Sequence, residues 1–307
     1  MSRPVRMFVA DGKYLLTARC LQRRLFLSPS AETTTVLRGV LARAMRLNGV
    51  EVYAFSFLSN HLHLIVRAPR GNLPRFMQYL MTNISKKVGA LVGWRGSFWE
   101  RRYSAEPILD DEALLAKVKY VLAHGPKEGL VRHCRDWPGL SCLPLMLGDS
   151  PMHAKWFNWT RRASGNRHKA PRPRLDARWS EPEEIRLTEL PILRLRAPGA
   201  LRRFIRRAVQ AIEEEASRQY TKFKGKRGVM NQDPLSKPKP ADRKPRPPCH
   251  TSFLALRSAY LEQYRNFVAA FRAASSRWLH GDFDVMFPEG AIRPFIFPRR
   301  AAALTAA

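Results

Sequence analysis

His61 and His63 stand one residue apart in Ser59-Asn60-His61-Leu62-His63-Leu64-Ile65-Val66-Arg67, a run that is otherwise largely apolar and β-branched. Side chains alternate faces along a strand, so both imidazoles point to one side. Neutral imidazole is the commonest metal ligand among side chains, and the pair therefore predicts a metal site. On this stretch alone a surface pair or a hydrogen-bonded core pair is the competing reading. Further along, Tyr120 and His124 are four residues apart in a helical pattern, which puts them on one helix face with Lys117 a turn earlier. If that face meets the sheet on the histidine side, three imidazoles and a phenol converge. Three histidines with a coordination position left open would make a catalytic rather than a closed structural site. The plainer alternative is that Tyr120 is a core aromatic and His124 a cation favoured by the helix C-terminus.

The elements that must position these residues follow from periodicity. Tyr14 to Cys20 predicts a first strand, with Leu21 to Leu27, including Arg23 and Arg24, turning back along it. From Thr35 a helical face of Leu37, Val40, Leu41 and Ala44 runs to the stop signal Asn48-Gly49. Val50 to Leu58 is β-branched and aromatic, and Ser59-Asn60 turns it into the histidine strand, so a hairpin is expected. Leu73, Phe76, Met77, Leu80, Ile84, Val88 and Leu91 set a second, core-facing helix. The loop from Trp94 to Arg102 interleaves rings with Arg95, Arg101 and Arg102, a mixture suited to base stacking and phosphate contact, or else to packing the sheet edge. Tyr103 to Leu109 resumes a strand. Asp110, Asp111 and Glu112 then favour a helix start, Leu114, Leu115, Val118, Val121 and Leu122 give its buried face, and Gly125-Pro126 reads as its end. This β-α-β-β-α-β succession with an added helix predicts an α+β fold, a ferredoxin-like antiparallel sheet with helices packed on it.

Charge points to the partner. The 307 residues carry 54 Lys plus Arg against 25 Asp plus Glu, a formal +29 that predicts attraction to a polyanion, nucleic acid first. Cys20, Cys134, Cys142 and Cys249 show no metal or disulfide spacing and are expected as reduced thiols. No run approaches a membrane span, the N-terminus lacks a signal-peptide pattern, and a cytoplasmic protein is expected. Residues 1–148 form the predicted catalytic domain and residues 149–307 a mostly helical basic extension. Within that extension Trp156 to about Leu175 reads as a basic, proline-rich linker, and the capping-box spacing of Ser180-Glu181-Pro182-Glu183 as a helix start. Leu201 to Tyr220 is an amphipathic helix whose Arg202, Arg203, Arg206 and Arg207 could grip phosphates. A linker at about 222–250 leads to an amphipathic helix at about 251–279, too apolar on one face to be left in water, and Phe283 to Phe297 reads as an extended strap.

Taken in order, His61-Leu62-His63, Phe98-Trp99-Glu100-Arg101-Arg102-Tyr103, Lys119-Tyr120-Val121-Leu122, Pro126-Lys127-Glu128-Gly129-Leu130-Val131 and Asp136-Trp137-Pro138 resemble the HUH single-tyrosine transposases, most closely their REP-associated branch, which acts on repetitive palindromic DNA. The resemblance covers roughly residues 10 to 145. It implies that the paired histidines hold a divalent metal, Mg2+ or Mn2+, and that Tyr120 attacks a phosphodiester of single-stranded or hairpin DNA, leaving a 5′-phosphotyrosine and a free 3′-hydroxyl. Lys117 is expected to help lower the phenol's pKa, and Arg23, Arg24, Arg67, Trp94, Arg95, Arg101 and Arg102 to contact DNA. The sequence departs from the family pattern where an Asn or Gln one turn after the tyrosine is replaced by His124, followed by Gly125. A histidine there shifts preference toward softer ions. The family's tryptophan-serine-serine ending is replaced by Gly139-Leu140-Ser141-Cys142. The rivals are a relaxase or replication initiator of the same architecture, and a domesticated DNA-binding repressor without cleavage. A histidine-triad hydrolase needs a third alternating histidine, where Ile65 stands. The chain is expected as monomer or homodimer, with no membrane partner.

Overall fold

The computed structural model describes residues 5–148, 151–165, 177–194, 199–238, 247–292 and 294. Strand β1 (Gly12–Arg19) is followed by a 3-10 turn at Leu21–Arg23 and helix α1 (Ala31–Asn48). The hairpin β2 (Glu51–Leu58) and β3 (His61–Ala68), helix α2 (Leu73–Leu91), strand β4 (Ser104–Ile108) and helix α3 (Asp111–Lys127) complete the first part. The strands lie in the order β2-β3-β1-β4, every neighbouring pair antiparallel, which is the ferredoxin-like arrangement expected. Thr17 pairs with His63 and Arg19 with His61, while Thr17 also pairs with Ser104 on its other side. A single cross-strand row thus joins the histidine strand to the sheet edge.

Local chemistry sets the helix ends. Ser30 caps α1 through a 3.0 Å bond from Thr33 N–H, so the helix starts at Ala31, a turn before Thr35, and Gly49 ends it at φ 59°. Asp110 caps α3 in the same way, accepting from Ala113 N–H at 2.7 Å. Gly125-Pro126 does not end α3. The helix runs on to Lys127, and the Gly125 carbonyl is taken by the N–H groups of Leu130 and Val131. A proline so near the C-terminus removes little helical bonding. Nor does Leu21–Leu27 return as a strand: Gln22 and Arg23 take positive φ values of 52° and 59°, which breaks the extended backbone.

Helix α4 (Leu143–Met146) lies at the end of residues 1–148, and the extension adds strand β5 (Met152–Phe157), helix α5 (Trp159–Gly165), strand β6 (Ser180–Ile185) and helices α6 (Pro191–Arg194), α7 (Ala200–Gln219), α8 (Gly225–Met230) and α9 (Leu254–Leu279). Two expectations fail here. Trp156 belongs to β5 and to the main core, not to a linker, while residues 166–176 of the expected linker lie outside the described residues. Ser180-Glu181-Pro182-Glu183 starts a strand, not a helix, because Glu183 is drawn to α1: its buried carboxylate meets Arg43 at 3.0 Å and Arg46 at 2.9 Å. In a two-stranded sheet every strand is an edge, where Pro182 is tolerated. The hairpin sits so close to α1 that a Cβ on Gly39 would collide with the Lys155 carbonyl. The main core takes in Ala154, Trp156, Ile185, Leu190 and Ile205, so hairpin and α7 share it with the four-stranded sheet. The apolar face of α9 is met partly by the body, through Tyr264 Oη donating to the Val5 carbonyl at 2.7 Å, and partly by Val285 and Phe287. Residues 293 and 295–297 of the expected strap, like 239–246 of the expected linker, lie outside the described residues. All four cysteines are free and buried. Among the described residues no helix is long and apolar enough to cross a membrane.

One buried cation has a measurable signature. Lys87 on α2 is 6% exposed, donates to the Phe157 carbonyl at 2.7 Å and lies 4.1 Å from the centre of the Trp156 ring. Burial, helped by Arg43, pushes its pKa down from 10.5 to about 7. The unfolded chain therefore holds a proton that the folded chain has released, and stability conferred through Lys87 rises as pH increases from about 7 toward 10. At 1.36 kcal/mol per pKa unit, wild type should gain about 3 kcal/mol on Lys87→Met over that range in urea unfolding. Parallel stability-versus-pH curves would refute the assignment.

Candidate metal and tyrosine site

Strand alternation places His61 and His63 on the face of the sheet against which α3 packs. One face of α3 carries Tyr120 and His124 to them. The ring centres of His63 and His124 are 4.3 Å apart, those of His61 and His63 4.9 Å, and those of His61 and His124 5.7 Å. One ring nitrogen from each histidine lies within 4.8 Å of the others. Tyr120 completes the group, with its ring 4.5 Å from that of His124 and 5.4 Å from that of His63. The convergence expected from spacing is present, and it includes His124.

The surroundings suit imidazoles acting as neutral donors. His63 Nδ1 is 2.9 Å from Thr17 Oγ1, and His61 Nδ1 is 2.6 Å from Asn60 Oδ1. An amide oxygen only accepts, so Asn60 fixes the proton of His61 on Nδ1 and leaves Nε2 with its lone pair. Such outer partners orient metal-binding histidines. His63 and His124 are each 3% exposed, and buried His124 Nδ1 makes no hydrogen bond of normal geometry. Burial first, then the His124 ring and the Arg19 and Arg23 cations, hold the pKa of His61 well below its ordinary 6.5. Burial and Lys127 push that of His124 down to about 4, against the carbonyls of Tyr120 and Val121. Both shifts keep protons off the His61 and His124 rings near neutral pH, as ligation requires. A donor set of three neutral imidazoles fits a divalent transition ion and fits Mg2+, which prefers oxygen, less well.

Two ammonium groups flank the phenol. Lys117 Nζ is 5.5 Å and Lys127 Nζ 5.4 Å from the centre of the Tyr120 ring. Burial, with Lys127 adding to it and Glu106 opposing, lowers the pKa of Lys117. Sequence reasoning missed Lys127 because Gly125-Pro126 read as a stop; seven residues after Tyr120, it returns to the same helix face. Thr17 was missed because its relation to His63 is set by register between strands, which leaves no local mark. Asn60 was read only as a turn residue.

The basic side chains divide. Arg67 is engaged by Glu51 at 3.0 Å and Asp11 at 2.9 Å, at the end of β3 away from His61. Arg24 lies 5.0 Å over the Trp94 ring and donates to the Leu235 carbonyl, and Trp94 packs on Phe26 at 4.9 Å. Arg23 is half-buried, whereas Arg95, Arg101 and Arg102 are exposed. On α7 the four arginines are exposed but face different ways. Arg207 borders a groove shared with Lys119 and Lys127 of α3, Arg206 borders one with Leu147 and Glu213, Arg202 lies against Gly148, and Arg203 near Gly199. After α7 the chain braces the site from outside. Tyr220 Oη donates to the Lys127 carbonyl at 3.0 Å, Lys224 and Gly225 N–H groups donate to Gly129 and Leu130 carbonyls, and the Gln232 amide meets Ser59 Oγ at 2.7 Å.

A ferredoxin-like sheet whose third strand faces a helix-borne histidine and tyrosine is thus the class that fold and site define. The model of the family described as "Transposase IS200 like" matches residues 9–124, a stretch that takes in all four strands of the sheet, both strand histidines, Tyr120 and His124. The resemblance to transposases read from the residues holds over that stretch. Among solved structures the chain is similar to a REP-associated tyrosine transposase bound to a REP hairpin, at 21% identity over 46% of this chain and 82% of that one, with a TM-score of 0.41. It is also similar to a candidate transposase from Deinococcus radiodurans, at 20% identity over 38% of this chain and 93% of that one, with a TM-score of 0.29. No curated protein matches the sequence.

Proposed function

We propose that the protein is a metal-dependent DNA transposase or nickase that cleaves and rejoins single-stranded or hairpin DNA through a covalent 5′-phosphotyrosine on Tyr120. The observation that carries this reading is the gathering of three imidazole nitrogens within 4.8 Å of one another, with the Tyr120 ring 4.5 Å from that of His124. His61, His63 and His124 would hold the divalent cation, Mn2+ or Mg2+. When bound, such an ion draws negative charge from a phosphoryl oxygen and so makes phosphorus more electrophilic.

The remaining chemistry is assigned to the chain. The Tyr120 oxygen attacks phosphorus, the new tyrosyl O–P bond replaces the bond from phosphorus to the 3′-oxygen, and the proton given up by the phenol balances the one gained by the 3′-hydroxyl. Phosphodiester bond energy is kept, and reversal by a 3′-hydroxyl rejoins a strand. A phenol of ordinary pKa near 10 is a weak nucleophile at neutral pH, and the Lys117 and Lys127 cations favour the phenolate form as the O–P bond forms. Thr17 and Asn60 keep the strand histidines oriented. We assign the chemistry to residues 1–148 and DNA grip to residues 149–307, in a protein acting in the cytoplasm.

The test is to incubate the full chain with a labelled hairpin oligonucleotide and Mn2+, then denature, digest and map any adduct by mass spectrometry. A 5′-phosphorylated nucleotide on the peptide containing Tyr120 is expected. Hairpin binding without any adduct would replace this reading with that of a repressor, and an adduct on another residue would withdraw Tyr120 as nucleophile.

A further inference from the structure

The outer edge of β4 is closed by the extension. His250 N–H donates to the Pro107 carbonyl at 2.7 Å and Leu109 N–H to the His250 carbonyl at 2.9 Å, so His250 forms a parallel bridge with Ile108. The His250 ring meets Glu106 at 2.9 Å, and Ser104 Oγ donates to the same carboxylate at 3.0 Å. Between this edge, the Arg101–Tyr103 turn, the N-terminal arm and α9 lies a groove of about 720 Å³.

Its lining combines two chemistries. Tyr103, Tyr260 and Tyr264 supply rings, those of Tyr260 and Tyr264 being 6.1 Å apart and within 16° of parallel. Arg6, Arg101 and Arg102 supply guanidinium groups, with Arg6 4.0 Å over the Tyr103 ring. Rings interleaved with cations in a groove are the means by which proteins hold unpaired nucleic acid, because every base has a face to stack and every phosphate a charge. Two carboxylates also line the groove: Glu106 is engaged by His250 and Ser104, and Glu100 precedes Arg101 in the chain, so three guanidinium groups stand against two acids.

Position links the groove to the chemistry. Ser104 in its wall pairs with Thr17, which pairs with His63. Two strand spacings of about 4.8 Å separate the groove from the histidine cluster. We propose that this groove binds unpaired nucleotides on the strand continuous with the cleaved phosphate, bases lying against Tyr260 and Tyr264 and phosphates against Arg101 and Arg102. The assignment of the strand rests on the cleavage reading given above; the binding of unpaired nucleotides does not. The site belongs partly to α9 and to Pro247-Pro248, outside the segment that matches the transposase family.

The test measures fluorescence anisotropy of the full chain with a labelled thymidine dodecamer and with a blunt hairpin of the same length, in EDTA so that cleavage plays no part. Tyr260→Ala and Arg101→Ala should each weaken dodecamer binding about tenfold, with hairpin binding changed less than about twofold and Tyr260→Trp retaining binding. Arg101 is exposed, so its variant tests the site even if Tyr260→Ala disturbs packing. Equal losses on both oligonucleotides, or none on the dodecamer with Arg101→Ala, would overturn the proposal. Failure of the adduct experiment would leave this binding pattern intact, so the two readings fail separately.

Discussion

Tyr120→Phe should leave hairpin binding unchanged within about twofold and lower strand cleavage by about 10^4-fold or more, some 5.4 kcal/mol in the barrier. The substitution removes one oxygen and nothing else. The ring still packs between His63 and His124, with centre-to-centre distances of 5.4 and 4.5 Å, and α3 keeps its cap on Asp110. A fall this large with affinity kept is what separates a nucleophile from a packing aromatic, since loss of a packing role would show first in thermal stability. Cleavage is to be read on a denaturing gel under single-turnover conditions, and binding by anisotropy without metal. If the phenylalanine variant still formed a denaturant-resistant adduct, the role assigned to Tyr120 would fail. Lys127→Met, which removes one of the two flanking cations, should reduce the rate by a smaller factor of about 10 and shift its pH dependence upward, because less of the phenol would ionise at a given pH.

His63→Ala is expected to abolish tight binding of Mn2+ measured by calorimetry and to reduce cleavage by about 10^3-fold, beyond the 10- to 100-fold typical of losing an outer partner of a ligand. His63 lies centrally, its ring nearest that of His124 and its Nδ1 fixed by Thr17. Thr17→Val, which keeps the shape and removes the hydroxyl, should cost metal affinity within that smaller 10- to 100-fold range. Binding should also persist at lower pH than for ordinary histidines. His124 is pushed down to about 4 and His61 well below 6.5, so protons compete with metal only as the pH falls toward those values. In His124→Gln an amide oxygen replaces an imidazole nitrogen, and the ratio of Mn2+ to Mg2+ activity should fall. Undiminished Mn2+ affinity in His63→Ala would remove the metal from the site.

The sequence carried most of the site because its parts sit on regular elements. A period of two brought His61 and His63 to one side, and a period near 3.6 brought Tyr120 and His124 together; neither is disturbed by turns or insertions. The order of elements from β1 to α3 was legible for the same reason. What escaped reading depends on contacts between distant segments. Helix α3 passes through Pro126 because Gly125 lies buried against Val131 and Trp137, where the chain folds back on its carbonyl, and this continuation brings Lys127 to the phenol. Ser180 starts a strand because Arg43 and Arg46, more than 130 residues earlier, claim Glu183. The capping-box spacing was present, but ion pairing with a buried carboxylate outweighs a cap at a strand that already has a partner. The groove beside β4 was legible only in part: Arg101 and Arg102 were read as DNA contacts, Arg6 was not, and Tyr260 and Tyr264 looked like one apolar helix face.

The stretch from Tyr220 to Gln232 holds the last turn of α3 and the Ser59 end of the β2–β3 turn at the same time. Every residue assigned to cleavage lies before residue 149, but the fastening between the two pieces that carry them is made about 70 or more residues later. A fragment ending at residue 148 would contain the whole set of reactive groups without the tie that keeps helix and hairpin in register. On a ribosome, therefore, the reactive groups emerge well before their fastening, and only a chain extended past Gln232 can carry the site in its braced form.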